Sequence, residues 1–221
     1  MHGKRRTHLV WDWNGTLLDD NAAVIGATNA AFGEVGLEPI TLEQYREMYC
    51  IPIPRFYERL MGRVPTEAEW ERMDVIFHRY YSEQRAACGL TEGAEALLAQ
   101  WRLGGGSQSL LSMYGHEQLV PVVRGYGIEG HFLRVDGRTG PSGGSKARHM
   151  ERHMAALDGI SPERVVVIGD AVDDAVAAAH VGAKAVLYTG GSHSRASLEA
   201  AGVPVVDSLA EAADLATSMG G

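Results

Sequence analysis

Lysine is nearly missing from this chain. Only Lys4, Lys146 and Lys184 occur among 221 residues, against 17 arginines, so chemistry that needs an ammonium has few places to reside. Cysteine is scarcer still. Cys50 and Cys88 allow at most one bridge and lack metal-site spacing, which points to free thiols in a reducing compartment. No apolar run approaches the roughly 18 residues that a membrane span requires. Aromatics make up only 7% of the chain, but 45% apolar and 22% charged residues are ordinary for a globular protein and exclude disordered and fibrous classes. There is no Lys/Arg-rich block, and the formal net charge is −8, which argues against nucleic acid as a partner. Lys4-Arg5-Arg6 is not followed by an apolar signal region. The expectation is a soluble cytoplasmic protein with neither a membrane nor a nucleic-acid partner.

What is present is an alternation of strand and helix signals. Thr7 to Trp11 form a short apolar run ending at Asp12, with Asn14-Gly15 as a turn signal. Asp19 and Asp20 stand where a helix cap belongs, and Asn21 to Glu34 carry helical periodicity closed by Gly36. Thr41 to Met48, about Arg55 to Leu60, and Glu67 to Ala87 continue in helical pattern, with Ile51-Pro52-Ile53-Pro54-Arg55 read as a turn. From residue 91 onward, helices alternate with strands at Ser107–Ser112, near Phe132–Val135, Arg164–Ile168, Ala185–Leu187 and Val205-Val206. That grammar predicts an α/β fold: a doubly wound parallel sheet with helices on both faces. Residues 1–18 and 90–221 are expected to form this core, and residues 19–89 a helical cap inserted after the first strand.

In such a sheet, ligands bind beyond the carboxyl ends of the strands, near the switch in strand order. Asp12 ends the first strand, Ser112 ends the strand after the insert, and Gly169-Asp170 ends the strand Arg164–Ile168, with Asp173 and Asp174 just beyond. Lys146 follows a glycine-rich loop at a helix start. Any one of these has a bland explanation as a cap or turn residue. All four together fit one chemistry. A carboxylate can attack phosphorus to give an aspartyl-phosphate, splitting one hard displacement into two easier ones. Mg²⁺ on Asp12 and Asp170, with Lys146 as a point charge, would offset the repulsion between two anions.

Asp12-Trp13-Asn14-Gly15-Thr16-Leu17 resembles the first motif of the haloacid dehalogenase superfamily, whose phosphatases begin Asp-x-Asp-Gly-Thr-Leu. Ser112 after Leu110-Leu111 is similar to the second motif, Lys146 fits the third by position, and Gly169-Asp170-Ala171-Val172-Asp173-Asp174 fits the fourth. The resemblance covers nearly the whole chain and includes a helical insert of the phosphoglycolate phosphatase-like type. It implies Asp12 as nucleophile, Ser112 and Lys146 as phosphoryl-binding groups, and Gly15, Thr16 and Met113 as substrate contacts. It implies Mg²⁺ held by Asp12, the backbone carbonyl of Asn14, Asp170 and Asp174, a structural part for Asp173, and a small phosphorylated metabolite as substrate. In the cap, Arg55 is a candidate to grip a second anionic group, or equally a solvated helix-start residue.

One position departs from the pattern. Where the phosphatases carry Asp as general acid and base, this chain has Asn14, which transfers no proton. That factor is typically worth about 10²–10⁴-fold. Three readings follow: slow action on esters, preference for leaving groups that depart unprotonated, or a proton carrier from the cap. A rival of another class is a phosphate- and Mg²⁺-binding protein with catalysis lost, although such a protein has no need of Asp12. A phosphonate-cleaving Schiff base is discounted because residues 20–88 contain no lysine.

Three other patterns are set aside. Gly125-Tyr126-Gly127-Ile128-Glu129-Gly130 spells a dinucleotide fingerprint, but between a helix and a strand rather than the reverse. Gly143-Gly144-Ser145-Lys146-Ala147 lacks the glycine and the hydroxyl residue of a P-loop. His149 and His153, four apart on a helix, are expected to face solvent.

Overall fold

The computed structural model describes residues 7–50, 53–140 and 145–219. The first half runs β1 (His8–Trp11), β2 (Leu18–Asp19), α1 (Asn21–Gly33), α2 (Leu42–Met48), α3 (Ile53–Met61), α4 (Glu67–Arg85) and β3 (Gly89–Leu90). The second half alternates: α5 (Ala94–Leu103), β4 (Ser107–Gly115), α6 (His116–Gly125), β5 (Val135–Arg138), α7 (Lys146–Ala155), β6 (Val165–Gly169) and α8 (Val172–His180). It ends with β7 (Lys184–Tyr188), α9 (Arg195–Glu199), β8 (Val205–Val206) and α10 (Leu209–Met219). No helix among the described residues is long and apolar enough to cross a membrane.

Six strands form one parallel sheet in the order β5-β4-β1-β6-β7-β8. The chain starts in the middle at β1, builds outward through β4 and β5, then returns to the other side for β6, β7 and β8. Strand order therefore reverses at β1. The central strands are buried on both faces, which is why β1 and β6 read as apolar runs without alternation. The expected doubly wound α/β architecture is what the chain adopts.

The chain divides into two compact units. One contains the sheet and comprises the described residues of Met1–Leu18, Leu90–Gly191 and Arg195–Gly221. Its core is aliphatic: Val10, Leu111, Val165, Val167 and Leu187 pack with Met150 and Met154 of α7 and Ala177 and Ala178 of α8. The other comprises the described residues of Asp19–Gly89 with Ser192–Ser194, and its helices pack around aromatic rings. Phe32, Tyr45, Phe56 and Tyr57 meet there edge-on, with ring centroids 4.9–5.8 Å apart.

Several local expectations shift. Thr41 caps α2 as expected, in a full capping box with Gln44. Asp20 precedes α1 but makes no cap; its buried carboxylate accepts the Tyr81 hydroxyl at 2.6 Å instead. Ile53, Pro54 and Arg55 form the first turn of α3 rather than a loop turn, while Ile51 and Pro52 lie outside the described residues. The strand expected near Phe132–Val135 falls at Val135–Arg138, because Glu129–His131 form a 3-10 turn first. Gly137 is obligatory in it: a Cβ there would stand 2.5 Å from the Tyr114 carbonyl.

Candidate active site

Asp12 is the first residue beyond β1, and its N–H continues the ladder by donating to the Ile168 carbonyl of β6 at 2.9 Å. This fixes the end of β1 against the end of β6, two residues short of Asp170. The chain then turns sharply: the N–H groups of Thr16 and Leu18 both donate to the Trp13 carbonyl. Gly15 adopts φ +68°, and a Cβ there would lie 2.6 Å from Asp170 Oδ2. Thr16 Oγ1 donates to Asp170 Oδ1 at 3.2 Å.

Asp174 is fully buried in the first turn of α8, where its Oδ2 accepts the Ala171 N–H at 3.0 Å. A carboxylate at a helix N-terminus is favoured by the helix dipole. Gly169 and Gly191 complete the walls: a Cβ on the former would collide with the Asp174 carboxylate, and on the latter with that of Asp170. Three glycines thus leave room for two acids.

Lys146 begins α7. Ser145 caps that helix by accepting the Ala147 N–H, and Asp173 Oδ2 accepts the Lys146 N–H at 3.2 Å. The side chain is 4% exposed, and its Nζ lies 2.5 Å from both Asp12 Oδ1 and Asp174 Oδ1. Carboxylate oxygens of Asp12, Asp170 and Asp174 all lie within 4.8 Å of one another. Burial pushes the Asp12 carboxyl well above its usual range against the pull of Lys146, and Asp174 and Asp170 push the same way as burial. Burial works against the Lys146 ammonium, but Asp12 and Asp174 hold it above an ordinary lysine. Burial, with Asp174 nearby, also raises Asp173.

Three carboxylates share this buried pocket with the Lys146 ammonium, an excess of acidic groups over basic side chains that a further cation would offset. Hard oxygen donors, this acidic excess and walls cleared of Cβ atoms suit a divalent cation such as Mg²⁺.

The remaining singled-out residues are more scattered. Ser112 is buried on β4 one residue beyond the level of Asp12, but the strand continues to Gly115, and Ser112 Oγ accepts the Tyr114 N–H at 3.0 Å. Half-buried Asn14 makes a lone β-bridge with Leu18. Met113 is half-buried, and its carbonyl accepts from Arg138 Nε at 3.2 Å. Arg55 is exposed on α3, in the helical unit.

One expectation is overturned. His153 does not face solvent beside His149: it is fully buried, with Nδ1 2.7 Å from Asp136 Oδ2 and Nε2 2.7 Å from Ser109 Oγ. The missed signal was its spacing from Lys146, since positions seven apart on a helix share a face.

The family model for haloacid dehalogenase-like hydrolases matches residues 7–182. The chain belongs to that family. It is 27% identical over 195 residues to a phosphoglycolate phosphatase of Synechococcus elongatus, covering 87% of this chain and 88% of the relative. Its structure superimposes with TM-score 0.78 on protein tyrosine kinase A of Mycobacterium tuberculosis, at 25% identity over 97% of this chain and 99% of that one. A haloacid dehalogenase-like hydrolase of Streptococcus pneumoniae gives TM-score 0.76 at 18% identity, covering 91% of this chain and 93% of the other. In this member of the hydrolase family Asp12, Asp170 and Asp174 meet at the carboxyl end of the sheet, with Asn14 in the turn after β1.

Proposed function

We propose that this hydrolase is a Mg²⁺-dependent phosphatase that works through phosphorylated Asp12 and acts on small phosphorylated metabolites whose leaving group departs without a proton. The observation that carries this reading is the convergence of three carboxylates within 4.8 Å, with Lys146 Nζ 2.5 Å from two of them.

Asp12, Asp170 and Asp174 would hold the cation, with the Asn14 carbonyl beside them. Bound there, Mg²⁺ supplies positive charge that lowers the repulsion between carboxylate and phosphate. Lys146 holds one Asp12 oxygen, which leaves the other to attack phosphorus. As the new P–O bond forms, the bond to the leaving oxygen breaks and that oxygen takes the electron pair. Lys146 and Ser112 stabilise charge on the equatorial oxygens, where the transition state spreads it. Water then attacks the same phosphorus, the bond from the Asp12 oxygen to phosphorus breaks, the carboxylate returns, and both water protons leave on the released phosphate as H₂PO₄⁻. Asn14 takes no part in either proton transfer. Acyl and aryl phosphates are consequently the favoured substrates, because their leaving anions are stable without protonation.

The test compares an aryl phosphate with a sugar phosphate before and after Asn14→Asp. A general acid is worth about 10²–10⁴-fold, so the sugar phosphate gains most of that factor and the aryl phosphate little. Equal rates before and after the change for both substrates contradict the reading.

A second reading is favoured by Asn14 together with the likeness to a protein named as a tyrosine kinase. A phenol, with pKa about 10, surrenders its proton more readily than water and relies less on a general base. On this reading Asp12 passes its phosphoryl group to a phenolic oxygen, whose proton goes to solvent. Formation of phosphotyrosine on an added peptide, at the expense of phosphate release, distinguishes it.

A further inference from the structure

Behind the site, α7 is tied to the sheet a second time. His8, Val10 and Asp12 alternate along β1 and so share one face, as do Ser107, Ser109 and Leu111 on the paired strand β4. On that face a continuous polar chain runs through the core. Asp136 Oδ2 contacts His153 Nδ1 at 2.7 Å, His153 Nε2 contacts Ser109 Oγ at 2.7 Å, and Ser109 Oγ contacts His8 Nε2 at 2.8 Å. His8 Nδ1 ends the chain on Ser107 Oγ, also at 2.8 Å. Arg134 donates to the same Asp136 oxygen.

With both imidazoles neutral, a single proton arrangement satisfies every member. His153 Nδ1–H donates to the carboxylate, the Ser109 hydroxyl donates to His153 Nε2, His8 Nε2–H donates to Ser109, and the Ser107 hydroxyl donates to His8 Nδ1. Burial lowers His8 to about 4, in keeping with a neutral ring. Fully satisfied buried networks of this kind specify one arrangement of a core.

α7 also packs on α8, and Asp173 accepts the Lys146 N–H at its start. The helix rests on the sheet through Met150 and Met154, flexible side chains that adapt to a shifted partner. Lys146 and His153 are seven residues apart, two turns along one face, a rise of about 10 Å. The helix is thus pinned at one end by Lys146 on Asp12 and Asp174, and at the other by His153 on Ser109 and Asp136.

We propose that His153 is a positioning residue: its hydrogen bonds to Asp136 and Ser109 fix α7 on the sheet so that the Lys146 ammonium stands between Asp12 and Asp174. This rests on the reading that Lys146 serves the phosphoryl site, but its test does not require turnover. The chain has only three lysines, so amine acylation can be resolved peptide by peptide. A brief pulse of acetic anhydride in metal-free buffer, well below the unfolding transition, is read as the labelling of Lys146 relative to exposed Lys184. In the wild type, Lys146 is protected by burial and its two carboxylates. In His153→Leu and in Ser109→Ala, loss of the supporting hydrogen bonds raises the ratio about tenfold or more, the scale on which such supporting partners act. A residue that only stabilises the fold would lower the unfolding temperature and leave the ratio of the folded protein unchanged. That unchanged ratio, in either folded variant, overturns the proposal. If His153→Leu does not fold, Ser109→Ala decides alone, since it removes one oxygen with little change in volume. Failure of Asp12 to become phosphorylated would instead overturn the catalytic reading while leaving this labelling result intact.

Discussion

Gly191 lies so close to Asp170 that a Cβ on the glycine would fall inside the aspartate's carboxylate. The two residues come from the segments that follow β7 and β6, neighbours in the sheet, and the absence of a side chain on one sets the position of the other. Gly191→Ala must push Asp170 away from Asp12 and Asp174. Displaced supporting groups typically cost about 10–100-fold in metal affinity. The Mg²⁺ concentration for half-maximal activity is expected to rise by that amount, with the unfolding temperature of the metal-free protein changed little. A Mg²⁺ titration of both proteins checks it.

Lys146→Met removes the ammonium while keeping a chain of similar length. Breaking a buried ion pair from one side typically costs about 3–5 kcal/mol, because the remaining charge is left uncompensated. Urea unfolding in metal-free buffer near neutral pH should show a loss of that order. Because burial and its acidic neighbours raise Asp12 in the folded state, protonating it removes charge from the pocket. The loss should therefore shrink as the pH is lowered. A loss independent of pH would mean that Asp12 carries no strained charge.

His8 titrates in the opposite sense. Its folded value of about 4 lies below the usual 6.5, so the unfolded chain binds more protons between those limits. Stability then rises with pH across that window, and is lost as pH falls from about 6.5 towards 4. At about 1.4 kcal/mol per unit, the contribution is at most about 3.5 kcal/mol. His8→Gln, which takes up no proton, should lack this part of the slope in unfolding measured at several pH values.

The sequence displays the parts of this molecule that depend on neighbours in the chain. Leu9-Val10-Trp11 and Val165 to Ile168 are apolar throughout because parallel strands are covered on both faces, and a run of that kind needs no partner to be recognised. Asp12 and the segment Gly169 to Asp174 are legible because they stand directly at the ends of those strands. Val135-Asp136-Gly137-Arg138 has no apolar pattern, and only its pairing with β4 makes it the strand β5. The burial of His153 is hidden from its own helix, because its partners Ser109 and Asp136 lie 44 and 17 residues away on two different strands. Asp20 resembles a helix cap because nothing local reveals Tyr81, which is 61 residues distant. The glycines around the acids were equally silent, since a missing Cβ has meaning only beside the atom it would meet.

Phosphoryl trapping on Asp12 tests the account most directly. The protein is incubated with an acyl phosphate and Mg²⁺, quenched in acid, and its peptides are examined by mass spectrometry for a phosphoryl group. The account predicts the adduct on Asp12, abolished by chelation of the metal and by Asp12→Asn. Continued phosphate release by Asp12→Asn, or an adduct on another residue with Asp12 unmodified, would contradict it.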